Sequence, residues 1–191
     1  MKRFTLHTVA TVVMAAFMLL IGINTAQASD LYVGGNIGQS MVRDWGSGDD
    51  TDVAFKAYMG VTVSDIVDFR AGYTNLGKAS YSDDSGYSDE FKSQGGFAEA
   101  LLKFKPSNEL ALFGKLGVAY MRSTATVSDG FSSYQDSSSD IVFVPGVGVN
   151  YDINGNIGLT AEYEYYLNVG DKDKTGQYDV GVLSAGVYFR L

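Results

Sequence analysis

The sequence predicts an all-β protein, an eight-stranded antiparallel up-and-down transmembrane β-barrel preceded by a cleaved signal peptide. Three observations predict it. Apolar residues recur at every second position in eight segments, the pattern of strands with one greasy face. The connections between segments alternate long and short, as they do when one end of a barrel carries tight turns and the other long loops. The opposite face of the segments mixes small residues with charges of both signs. Composition agrees: 191 residues suit one domain, and 13 Tyr, 11 Phe and 23 Gly with only 2 Pro suit many strands joined by flexible turns.

Residues 1–28 read as the signal peptide and 29–191 as the barrel domain. Lys2 and Arg3 form a charged start, 9–21 is an almost unbroken apolar run, and Ala26-Gln27-Ala28 offers a small-x-small cleavage site. A membrane-anchor helix needs about 20 apolar residues, more than this run supplies. Cleavage after Ala28 takes two of the 14 basic residues, so the net charge moves from −8 to −10. It also takes His7, the one histidine, and the chain has no Cys. The exported protein then lacks the usual residues of metal sites, thiol nucleophiles and His-based triads.

The first strand is read at 31–41, rich in glycine (Gly34, Gly35, Gly38). An acidic loop over 44–52 holds the sole Trp, Trp45. The second strand, 53–63, sets Val53, Phe55, Ala57, Met59, Val61 and Val63 on one face. Ser64-Asp65 turns into the third, 66–75, where Val67, Phe69, Ala71 and Tyr73 alternate with Asp68, Arg70, Gly72 and Thr74. A polar loop is expected over 76–94. The fourth strand, 95–105, sets Ala98, Ala100, Leu102 and Phe104 against Glu99, Leu101 and Lys103, and Pro106-Ser107-Asn108 marks a short turn. The fifth, 110–121, sets Leu110, Leu112, Gly114, Leu116, Val118 and Tyr120 against Ala111, Phe113, Lys115, Gly117 and Ala119.

A serine-rich loop is expected over 122–139. The sixth strand, 141–151, is apolar on both faces except at Asn150, which leaves its facing open. Pro145 inside it implies a bulge or a missing ladder bond. After a hairpin turn over 152–156, the seventh, 157–167, sets Ile157, Leu159, Ala161, Tyr163, Tyr165 and Leu167 against Gly158, Thr160, Glu162, Glu164 and Tyr166. The eighth, 177–191, follows a last loop over 169–176.

The apolar faces carry no charge, whereas the opposite faces carry Lys56, Arg70, Lys103, Lys115 and Arg190 with Asp68, Glu99, Glu162 and Glu164. A soluble carrier would turn these charges to water; a membrane barrel would turn them into the lumen, where they must pair. Periodicity fits both. The membrane is favoured by the sorted connections, by the small residues among the charges, and by Phe104, Tyr120, Tyr151, Tyr165 and Phe189 near strand ends, where they suit interfacial girdles. Eight strands enclose a space that side chains fill, so a plugged polar lumen is expected.

The last nine residues, 183–191, resemble the C-terminal strand of outer-membrane β-barrels. There a Gly is followed at the third and fifth positions by hydrophobic, usually aromatic residues; here these are Gly186, Phe189 and Leu191, with Leu where the family generally has Phe. Residues 143–151, 159–163 and 70–77 look like the sixth, seventh and third strands of the OmpA transmembrane domain. The resemblance spans the mature chain. It implies a Gram-negative outer membrane, contact with its lipid and lipopolysaccharide, and engagement of the barrel-assembly machinery through the C-terminal strand. It also implies that Glu162 and Glu164 find counter-ions among Lys56, Arg70, Lys103, Lys115 and Arg190, with Glu99 in the same lumen network.

Glu162 and Glu164, roughly 7 Å apart on an extended strand, have a spacing a glycosidase could use, but an eight-stranded lumen admits no sugar. Asp171, Asp173 and Gly176 fit part of a calcium loop, whose twelfth position would be Val182 where a Glu is needed. The clusters Asp49-Asp50, Asp83-Asp84 and Asp89-Glu90 could hold divalent cations near lipopolysaccharide, but solvated loop explains them better. The aromatics Trp45, Tyr81, Tyr87, Phe91, Phe131 and Tyr134 would pack loop on loop or anchor a partner. No catalytic residue, metal or cofactor is expected, and the acidic charge excludes nucleic acid. The expected function is structural or surface contact (adhesion, host interaction, envelope integrity) through the long loops, with a host or surface ligand there. The alternative is a narrow porin-like channel for ions or small solutes, gated by the lumen charges.

Overall fold

The computed structural model describes residues 30–42, 50–82, 88–128, 133–171 and 176–191. Residues 1–28, read from the sequence as a signal peptide, and residues such as Trp45, Asp83, Asp84, Tyr87, Phe131 and Asp173 lie outside them. Eight antiparallel strands, β1 (Asp30–Val42), β2 (Asp50–Ser64), β3 (Val67–Ser82), β4 (Ser88–Phe104), β5 (Leu110–Ser128), β6 (Ser133–Asp152), β7 (Ile157–Asp171) and β8 (Gly176–Arg190), pair in chain order. The sheet closes where β1 meets β8, from Tyr32 opposite Arg190 to Val42 opposite Val180, so no edge remains. At that seam a side chain on Gly186 would put its Cβ 2.1 Å from the Gly35 carbonyl oxygen, and only glycine fits.

Three connections join the strands at one end and four at the other, and towards the four-connection end β3, β4, β5 and β6 run on well past the alternating segments. Here the expected loops over 76–94 and 122–139 are corrected. β3 with β4 stays paired up to Ser82 opposite Ser88, and β5 with β6 up to Ser128 opposite Ser133. Both faces of these extensions are polar or mixed, so the period-two signal vanishes while the backbone ladder continues. A bulge between Asn75 and Lys78, with Gly77 at φ 77°, marks where β3 leaves the regular wall.

The sixth strand's facing is settled: Val142 and Val144 are buried inward, while Ile141 (78 % exposed), Phe143 and Val147 face out. Pro145 pairs with Leu116 on β5, but towards β7 the ladder skips 144–145 with no change of register, so it is a missing bond and not a bulge. The choice that periodicity left open is decided by burial. Ile37, Phe55, Met59, Leu102, Leu116 and Leu183 are all exposed on the outer wall, while Lys56, Arg70, Glu99, Lys115, Glu162 and Glu164 are buried inside. A water-soluble chain does not sheathe itself in a continuous apolar belt; a bilayer-spanning barrel must.

Candidate functional site

The lumen is built in three layers. In the middle, β2, β3 and β5 point Lys56, Arg70 and Lys115 at Glu99 from β4 and at Glu162 and Glu164 from β7. The strands' period of two brings them together: each sits on the inward face, at nearly one height. Lys56 Nζ donates to both Glu99 oxygens at 3.1 Å and to Glu164 at 2.8 Å. Arg70 grips Glu162 with two bonds, Nη1 to Oε1 at 2.8 Å and Nη2 to Oε2 at 3.1 Å. Its Nε lies 2.8 Å from Glu99 Oε1, close enough for charge attraction but outside hydrogen-bond alignment. Lys115 reaches Glu164 at 2.8 Å and also contacts Glu162. Asn36 donates to Glu162 at 3.0 Å.

Three cations thus meet three carboxylates, and the buried charge sums to zero. Each charge has more than one partner, which is what makes ionised groups tolerable away from water. The remaining faces of the cations rest on rings: Lys56 lies 4.1 Å from the centre of Phe97, and Arg70 4.8 Å from Tyr58 and 5.4 Å from Phe113. The two glutamates whose spacing resembled a catalytic pair therefore share Lys56 and Lys115 as partners.

Two of the candidate lumen charges stand apart. Lys103 pairs with Asp68 at 2.5 Å, and Arg190 with Asp152 at 2.6 Å, both near the short-turn end. They belong to the second layer, where Tyr32 donates to Asp68 at 3.3 Å and Tyr188 donates to Asp152. A cavity of about 310 Å³ opens there, lined by Tyr32, Tyr58, Lys103, Asp152, Tyr188 and Arg190 among others.

The third layer was not foreseen. Towards the long-connection end the lumen is filled by Leu76, Phe91, Met121, Val142, Tyr166, Val169, Val180 and Val182, all buried together. A polar interior throughout is thus corrected to an apolar plug above a charged middle. Phe91, read as a loop aromatic, is 3 % exposed inside this plug with its ring 5.4 Å from Tyr178. Val182, the twelfth position of the calcium-like spacing, is part of the plug too. Among the described residues no three His, Cys, Asp or Glu side chains gather to hold a metal. The signal for the plug was present in the two-sided apolarity of 141–151, which cannot be assigned to wall or lumen until the register is known.

The OmpA-like transmembrane domain profile matches residues 26–191. The chain belongs to the OmpA-like transmembrane domain family. Outer membrane protein A of Shigella flexneri is 29% identical over 168 residues, covering 84% of this chain and 48% of that protein. The Klebsiella pneumoniae counterpart is 30% identical over 178 residues, covering 84% and 50%. The chain spans about half the length of the curated relatives it matches. Among solved structures, Neisserial surface protein A overlays with a TM-score of 0.66 at 21% identity, covering 84% of this chain and 97% of that one. Ail of Yersinia pestis overlays at 0.64 with 17% identity, covering 86% and 100%. These share the fold. This OmpA-like chain is accordingly a small barrel of the Gram-negative outer membrane, surrounded by its lipid. In such barrels the short turns face the periplasm and the long connections face outside.

Proposed function

We propose that the chain is a closed, non-conducting barrel that anchors its extracellular connections for adhesive or host contact and for envelope integrity. The observation that carries this reading is the double closure of the lumen: a zero-net cluster of six buried charges beneath an apolar plug. An ion crossing such a lumen must displace paired charges and then enter a dry layer, both costly steps. In this reading Lys56, Arg70, Glu99, Lys115, Glu162 and Glu164 hold the wall together from inside, and Lys103 and Arg190 brace the periplasmic end. Residues 1–28 are removed on export, the strand ending in Gly186, Phe189 and Leu191 engages the barrel-assembly machinery, and the outer wall contacts lipopolysaccharide. A fold neighbour carries attachment and invasion in its name and was crystallised with the heparin analogue sucrose octasulfate. That precedent supports a ligand-binding, surface-contact role for a barrel of this fold.

Two measurements test the reading together. Planar-bilayer recording of the purified full chain is expected to be silent; steady conductance would favour a gated ion pore built on the lumen charges. Shortening each extracellular connection in turn is expected to reduce attachment of expressing cells to host surfaces. If all four shortened forms attach as well as the parent, the surface-contact role is lost.

A further inference from the structure

The outer wall of the barrel differs on one side. On β4 the outward positions in the middle of the apolar belt are small, Gly96, Ala98 and Ala100, and β3 sets Ala71 directly opposite Ala98, between Phe69 (opposite Ala100) and Tyr73 (opposite Gly96). A Cβ built on Gly96 would meet nothing nearer than 3.7 Å. On either side the wall stands taller, with Phe69 and Tyr73 on β3 and Leu116 and Val118 on β5. The result is a narrow furrow along β4, widened at Ala71, between apolar ridges.

Just above the furrow the wall becomes basic. Lys78 and Lys92 are register partners on β3 and β4, and Arg122 on β5 lies opposite Gln94, diagonal to Lys92. The Lys78 and Lys92 side chains are 50% and 62% exposed, and Arg122 is exposed as well. Glu90 sits between the two lysines, 3.2 Å from Lys78 and 3.1 Å from Lys92, so the four charges leave a net +2. Hydrogen bonds from Lys92 and then Lys78 hold its carboxyl below the usual carboxylate range, and it stays ionised. The other described cations lie in the lumen (Lys56, Arg70, Lys103, Lys115, Arg190) or on the turn after β4 (Lys105). At a similar height β1 and β8 carry Gln39 and Asp179 outward instead.

The height is informative. Lys78, Lys92 and Arg122 lie about a dozen residues from the periplasmic ends of their strands, just beyond the 9–11 residues that cross the hydrocarbon. That is the level of the outer-leaflet headgroups. A protein of net charge −8 whose outward strand cations, among the described residues, all gather on this wall offers charge complementarity to phosphate. Lysine meets phosphate as a point charge and arginine as a fork. The small residues beneath let an acyl chain lie close to the sheet and gain dispersion contacts along its length.

We infer that the β3–β5 wall is a docking site for a phosphorylated, acylated glycolipid of the outer leaflet. Lys78, Lys92 and Arg122 hold its phosphate, and the Ala71–Gly96–Ala98–Ala100 furrow seats an acyl chain. This deepens the lipopolysaccharide contact proposed above by giving it a place.

The test uses the refolded full-length barrel, native mass spectrometry and three probes: bis-phosphorylated lipid A, the same lipid with its phosphates removed, and phosphatidylglycerol. The parent is expected to retain bis-phosphorylated lipid A about tenfold better than either other probe. The triple variant K78Q/K92Q/R122Q loses that preference, Ala98→Phe weakens both forms of lipid A, and Lys105→Gln changes nothing. Heat-modifiable migration checks folding; should the triple variant misfold, K92Q and R122Q singly are expected to lose about threefold each. Unchanged retention in the charge variants overturns this site while leaving a lipopolysaccharide contact elsewhere. Equal retention of phosphatidylglycerol reduces the wall to a general basic surface and overturns the glycolipid assignment. Failure of the parent to retain lipid A at all overturns both.

Discussion

Replacing Glu162 with glutamine should unbalance the lumen more than any other isosteric change. Glu162 is 1 % exposed, takes both forks of Arg70, and contacts Lys115, Asn36 and, at 3.9 Å, Lys56. The substitution leaves three buried cations facing two carboxylates. Breaking a buried ion network by removing one partner typically costs about 3–5 kcal/mol, because the surviving charge stays buried and underpaired. The amide keeps an acceptor for Arg70, so the low end, about 3 kcal/mol, is the expected loss. With a urea slope of about 2 kcal/mol per molar, the unfolding midpoint falls by about 1.5 M. The assay is reversible urea unfolding in lipid vesicles, followed by circular dichroism and by heat-modifiable gel migration. Glu162→Gln combined with Lys115→Met removes one charge of each sign, and the pair should recover at least half of the loss as a non-additive coupling. A single-variant loss under about 0.5 kcal/mol would refute the reasoning, since it would mean that water solvates these charges and that the cluster is not dry.

Two further outcomes follow from the other layers. Tyr166→Ala empties the centre of the apolar plug and removes a hydroxyl within 3.5 Å of Thr74 and Glu164, at an expected cost of about 3–5 kcal/mol; paired with Val142→Ala it should also raise bilayer conductance above the parent's, and continued silence would place the seal in the charge cluster alone. Gly186→Ala forces a Cβ against the Gly35 carbonyl and the Asn36 side chain at the β1–β8 seam, where backbone cannot yield cheaply; overpacking of this kind costs about 1–3 kcal/mol, read as a lower melting temperature of the compact gel form, and an unchanged melting temperature would show that the seam can open.

Much of the architecture was legible in the chain because a bilayer-spanning strand obeys one rule along its whole length. Ile157 to Tyr166 shows it: apolar and polar residues alternate without a break, and Glu162 and Glu164 necessarily fall on one face. The same rule failed outside the bilayer. Residues 76–82, 88–94, 122–128 and 133–139 remain strands, but once both faces leave lipid no solvent difference writes a period into the side chains. Phe91 shows the consequence, since it read as a loop aromatic and is instead packed in the lumen.

Sequence alone determined the strand number, the antiparallel order, and which residue types face each way, because alternation and connection length are local properties. Which face is outside was decided only by the closed structure, where the exposed apolar belt and the buried charges leave one solvent possible. Closure also decided the partners. Lys56 and Glu164 are 108 residues apart, and no local pattern states that β2 and β7 put them 2.8 Å from each other across the lumen. The division between charged middle and apolar plug was likewise tertiary, since Val142 and Val182 look like any lipid-facing valine until the register turns them inward.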